Sequence, residues 1–192
     1  DGSDLTRTTR RSDVAFWLHL AAAPMIAHSV FHMLGVFQGQ SVIVNTNAVN
    51  ANSAGNNGGG IYVYGGLASL NDQDVKVTSN SINSNAAGAY GGGIYLNGGK
   101  VTIVGAHINA NTSVKQGGGI YNNGGTVSFS TLDKGKSMVI ANKAGGTKGT
   151  GGGGIYSNGG TLDLNSIKIT SNKPDNCVAF GSTSVLHGTC SA

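Results

Sequence analysis

The chain has 192 residues, of which only 6% are aromatic, so any core has to be built from aliphatic side chains. Its 33 glycines lack a Gly-X-Y period, which excludes collagen. A net charge of +4, spread thinly and not interleaved with aromatics, gives no footprint for nucleic acid, and with no glutamate present the acids are eight aspartates.

Residues 1–40 stand apart from the rest. Arg7, Arg10 and Arg11 precede Ser12-Asp13, a fair helix N-cap, and then an apolar stretch runs from Val14 to Phe37. A pair of short helices broken near Pro24, lying over one end of the remaining chain as a cap or assembly element, is the leading expectation. A membrane anchor through 14–37 is a second reading, since about 20 apolar residues cross a bilayer, although His19, His28, His32 and Pro24 make it a poor span. A targeting or foreign sequence is a third, with Ala27-His28-Ser29 as a passable cleavage site. His28 and His32 would share a helix face, but no Cys, Asp or Glu accompanies them as a metal ligand.

From residue 41 to 176 the chain repeats. Gly-Gly-Gly-Ile-Tyr ends at Tyr62, Tyr95, Tyr121 and Tyr156, at intervals of 33, 26 and 35 residues. The unit 91–116 reads GGGIYLN, a Gly-Gly turn, then KVTIVGAHINANTSVKQ. Val101 and Ile103 alternate with polar residues, the period of a half-buried strand. An apolar residue three before an Asn closes each unit: Val49/Asn52, Ile82/Asn85, Ile108/Asn111, Val139/Asn142 and Ile169/Asn172. Three short strands per unit with no helical period describe one coil of a parallel β-helix, and about five coils are expected, stacked at about 4.8 Å. In that stack Ile61, Ile94, Ile120 and Ile155 form an inward ladder. Tyr62, Tyr95, Tyr121 and Tyr156 form a neighbouring row, a possible glycan surface, and Asn52, Asn85, Asn111, Asn142 and Asn172 form an amide ladder at one corner. The longer intervals predict loops near 71–76 and 134–136. The phased Ile and Val positions argue against a disordered Gly- and Asn-rich chain.

Signals for catalysis are sparse. Asp72 and Asp74 are the one close carboxylate pair, able to share a face and a Ca²⁺ ion if extended, but an exposed polar turn explains them as well. Asp133 and Asp163 fall on other coils, His107 and His187 stand alone, and the glycine run 151–154 leads into a strand and so builds no phosphate cradle. No catalytic residue, cofactor or metal is expected. The lysines read as solubilising turns and discouraging edge pairing, with weak attraction to acidic polysaccharide as the alternative.

Cys177 and Cys190 lie in the tail 177–192, where a disulfide would close a short loop over the last coil as a cap in an oxidising compartment. A reduced or metal-binding pair is the alternative, though no second pair accompanies it.

The unit GGGIY…NGG…I-x-x-N resembles the repeats of bacterial right-handed parallel β-helix surface proteins, including the polymorphic outer-membrane protein group. The ending Asn172-Lys173-Pro174-Asp175-Asn176-Cys177 with Cys190 resembles the C-terminal closure of exported members, and the likeness covers about 41–192. It implies export to the cell surface or the extracellular space and a structural or adhesive role. The expectation is therefore an all-β, right-handed parallel β-helix (solenoid) with an N-terminal apolar helical segment and no catalysis, binding cell-surface glycans or other copies of itself head to tail. A carbohydrate-binding module, or a small polysaccharide lyase or hydrolase using Asp72 and Asp74, is the alternative.

Overall fold

A computed structural model describes residues 16–17, 42–45, 48–65, 74–78, 81–130 and 136–190. These residues are all-β: every named element is a strand, and every strand pair is parallel. The 26-residue repeat shows how the sequence dictates this. Ile94–Asn97 and Lys100–Val104 alternate apolar and polar side chains around the Gly98-Gly99 turn, and both turn glycines take positive φ, which their missing Cβ permits. His107–Asn109 follows with Ile108 inward, and Thr112–Ser113 completes the unit. There are thus four strands per repeat rather than three. The fourth is two residues of small or polar character (Ser53–Ala54, Ala86–Ala87, Thr112–Ser113, Lys143–Ala144) and has no apolar alternation to announce it.

Each strand pairs with its counterpart one repeat away. Ile120 lies opposite Ile94 on one side and Ile155 on the other, and Val101 lies opposite Val75 and Val127. Five strands stack from Ala48–Asn50 to Ile167–Thr170, and four from Ser53–Ala54 to Lys143–Ala144. The first two strand sets form a single ten-stranded sheet, because Ile155–Asp163 runs unbroken through Gly159-Gly160 and pairs with both. The last strand, Cys177–His187, covers Ile155–Asp163 with one irregularity in register.

The core is the sum of these columns. Ile82, Ile94, Leu96, Ile103, Ile108, Ile120 and Ile155 are fully buried in one cluster that extends from Val49 to Cys177. Burial of such side chains contributes about 1.5–3 kcal/mol each, which explains how a chain so poor in aromatics holds together. Of residues 1–40 only Phe16–Trp17 are described, and they form a short strand parallel to Val42–Ile43 where a helix was expected. An unpaired sheet edge is a ready template for such pairing. The rest of that segment, with His28, His32 and the membrane-anchor reading, lies outside the described residues, as do Asp72 and Asp133.

Candidate functional site

The corner between the third and fourth strands carries the asparagine ladder. The Asn111 side-chain oxygen accepts both the backbone N–H and the side-chain N–H of Asn85, each at 2.9 Å. Asn111 Nδ2 in turn donates to Asn142 Oδ1 at 2.9 Å and to the Ile82 carbonyl at 2.8 Å. The same arrangement links Asn52 to Asn85 and Asn142 to Asn172, and Asn176 Oδ1 ends the series by accepting from Asn172. Four of the five amides, Asn85 to Asn172, are buried yet hydrogen-bonded through both ends, as buried polar groups have to be.

Two features outside the amides make the ladder possible. The residue before each Asn is left-handed, at Ala51, Ser84, Ala110, Ala141 and Ser171, with φ of 53–59°. None is glycine, so each carries a strain of about 1–2 kcal/mol that the surrounding bonds hold in place. The glycine triplets lie over the amides. A Cβ on Gly93 would come within 2.6 Å of the Gly119 carbonyl and 3.1 Å of Asn111 Nδ2. The Gly-Gly-Gly word and the closing Asn, read as separate signals in sequence, are therefore the two sides of one contact.

On the outer face of the tyrosine-bearing strands the rings stack. Tyr62–Tyr95, Tyr95–Tyr121 and Tyr121–Tyr156 have centroids 5.1, 5.4 and 5.3 Å apart and are tilted by 20° or less. Phe180 continues the series at 6.5 Å, and Tyr90 packs on Tyr121 at 4.6 Å with Lys115 Nζ 5.1 Å from the Tyr90 ring. Tyr95, Tyr121 and Tyr156 are only 6–7% exposed, so their faces are covered by one another, and Tyr62 at 38% is the open member of the row. Burial, followed by the neighbouring hydroxyls of Tyr156, Tyr90 and Tyr95, pushes the Tyr121 hydroxyl up to about 12. Burial raises Tyr62, Tyr95 and Tyr156 as well.

Two residues along each strand is a second row, Tyr64, Asn97, Asn123, Asn158 and Phe180, brought side by side by the same register. Asn123 Nδ2 donates to Asn97 Oδ1 at 2.7 Å, and Asn158 Nδ2 to Asn123 Oδ1 at 3.1 Å. In sequence these asparagines read only as the openings of Asn-Gly-Gly turns. The inward residue between the rows carries no sequence signal of its own. Asn122 occupies the place of Leu96, fully buried, and binds the Gly125 N–H and carbonyl and the Ser157 hydroxyl.

Cys177 takes the isoleucine position of the last strand, opposite Ile155, and is joined to Cys190 by a disulfide. Both sulfurs border the core, so the tail is held over its end, and such a bond suits an oxidising compartment. Asp163 accepts from the Asn165 N–H at 3.1 Å, and buried Asp175 accepts from the Gly149 N–H at 2.9 Å. Asp74 opens a strand opposite Lys100. Among the described residues no three His, Cys, Asp or Glu come together as a metal site, and no helix is long and apolar enough to cross a membrane.

No protein-family model matches this chain, and neither curated proteins nor solved structures show a significant likeness to it.

Proposed function

We propose that the chain is a right-handed parallel β-helix whose coils stack into a short solenoid. It serves as a non-catalytic structural or adhesive scaffold outside the cell or on its surface, in the manner of the polymorphic outer-membrane protein repeats. The observation that carries this reading is the constant register: every strand from residue 42 onward meets its counterpart one repeat away, with an amide ladder at the corner. Export is supported by the disulfide. Head-to-tail growth fits less well, because the described strands do not end on a complete repeat at either end. Phe16–Trp17 lies beyond Val42–Asn45, and Ser184–His187 lies beyond Thr161–Asp163. Each occupies an edge that a fully aligned copy would need, and we propose a single unit as the working form.

Register is testable by cross-linking. Thr102 lies opposite Lys76 on one side and Ser128 on the other. The double variant Thr102→Cys/Ser128→Cys is expected to form a disulfide on oxidation. Lys76→Cys/Ser128→Cys, two coils apart, is not, because bridged Cα atoms lie within about 7 Å. Equal cross-linking of both pairs refutes the stack. For the role, beads coated with folded protein are expected to adhere to polysaccharide- or cell-coated surfaces. Depolymerising activity lost in Asp74→Asn would overturn the non-catalytic reading.

A further inference from the structure

We infer that the row Tyr64–Asn97–Asn123–Asn158–Phe180 is a binding face for an uncharged, extended β-1,4-linked glycan lying along the coil axis. The row has an exposed aromatic ring at each end, Tyr64 at 46% and Phe180 at 56% exposed, and three amides between them. The amides bond to one another in one direction only, Asn158 to Asn123 to Asn97. Each carboxamide has two donor hydrogens and two acceptor lone pairs. Those bonds leave one donor on Asn158 and on Asn123, both donors on Asn97, and an acceptor site on every oxygen.

The periodicity selects the ligand. Strand spacing of about 4.8 Å sets the repeat of the amides, and a β-1,4-linked glycan advances by nearly the same distance per sugar. Successive sugars can thus present hydroxyls to successive amides, while the end sugars meet the Tyr64 ring and the exposed part of Phe180, which stacks on Tyr156 on its other side. The buried tyrosine stack borders one side, and the turns Gly98-Gly99, Gly124-Gly125 and Gly159-Gly160 border the other without side chains. No member of the row is charged, so it offers nothing to an anionic polymer that it does not offer to a neutral one. This places the glycan surface one row away from the tyrosines expected from sequence, three of which are covered by their neighbours.

Cellohexaose and N-acetylchitohexaose are the probes, titrated calorimetrically into the whole protein. Saturable binding of one of them is expected, with the matching disaccharide binding much more weakly because it spans only part of the row. Tyr64→Ala and Phe180→Ala, both at exposed positions, should each weaken binding by up to about tenfold. Asn123→Ala, which also gives up two side-chain bonds and with them a few degrees of melting temperature, should weaken it further while the protein is still fully folded at the assay temperature, and Lys168→Ala, on another sheet, should leave it unchanged. The inference is overturned if neither hexasaccharide binds, if binding is indifferent to Tyr64 and Phe180, or if only an anionic chain such as polygalacturonate binds. It rests on the stacked-coil reading, and the two fail separately. A protein that forms the Thr102→Cys/Ser128→Cys cross-link yet ignores both sugars overturns the glycan face alone, whereas failure of the cross-link overturns the stack first.

Discussion

Replacing Asn111 with alanine removes the middle of the amide ladder. Four hydrogen bonds of 2.8–2.9 Å disappear at once: two accepted from Asn85 and one donated to each of Asn142 Oδ1 and the Ile82 carbonyl. A net contribution of about 1 kcal/mol per bond gives a loss of about 4 kcal/mol. The Asn85 N–H and amide are left buried without their acceptor, which makes this a lower bound rather than a mean. Asn52 lies at the end of the ladder, and its side chain contributes one bond, to Asn85 Oδ1 at 3.0 Å. Asn52→Ala should therefore cost about 1 kcal/mol. Urea unfolding followed by circular dichroism measures both: the midpoint should fall about four times further for Asn111→Ala at an unchanged slope. The corresponding melting shift is roughly 8–16 °C against 2–4 °C, by the scaling for a chain of this length. Equal losses at the two positions would refute the claim that the ladder acts through its bonds rather than through corner geometry.

Gly93→Ala should destabilise by about 1–3 kcal/mol through overpacking against the Gly119 carbonyl and the Asn111 amide. Ala110→Gly should stabilise by about 0.5–1 kcal/mol by releasing left-handed strain, less the entropy of the unfolded glycine, and thermal unfolding of both variants checks the pair. Because the Tyr121 hydroxyl is raised from 10.0 to about 12, the folded state holds the neutral form more tightly than the unfolded state does. Its stabilising contribution is therefore complete below pH 10 and is lost between pH 10 and 12. Melting temperature against pH should fall across that window, less steeply in Tyr121→Phe, and parallel curves would contradict the burial of the ring. Reducing Cys177–Cys190, which closes a 13-residue separation, should cost about 3 kcal/mol, seen as a lower urea midpoint in reductant; an unchanged midpoint would show that the tail does not hold the core end.

The parallel all-β character was legible because Ile94, Val101, Ile103 and Ile108 occupy phased positions that return in every repeat, and register follows once a repeat is aligned with itself. The fourth strand was not legible, since Ala86-Ala87 and Thr112-Ser113 owe their strand pairing to their neighbours and not to any pattern of their own. Asn122 escaped notice for a related reason: a polar residue at an inward position breaks the alternation, and only the Gly125 turn reveals what it satisfies. Register brings Tyr62, Tyr95, Tyr121 and Tyr156 into one row, but sequence says nothing about rings covering one another, so Tyr95 and Tyr121 read as more open than they are. Phe16–Trp17 carries an apolar pattern that suits helix and strand alike, and the free edge of Val42–Asn45 decides it.

The unit bounded by Ile94 and Ile120 meets its neighbours above and below through equivalent pairings at each ladder. Nothing in such an interface records which copy it faces, so an internal unit can be excised or duplicated while both terminal closures keep their partners. Adding or removing one such unit would change the number of amides presented on the outer face by one, without disturbing either end.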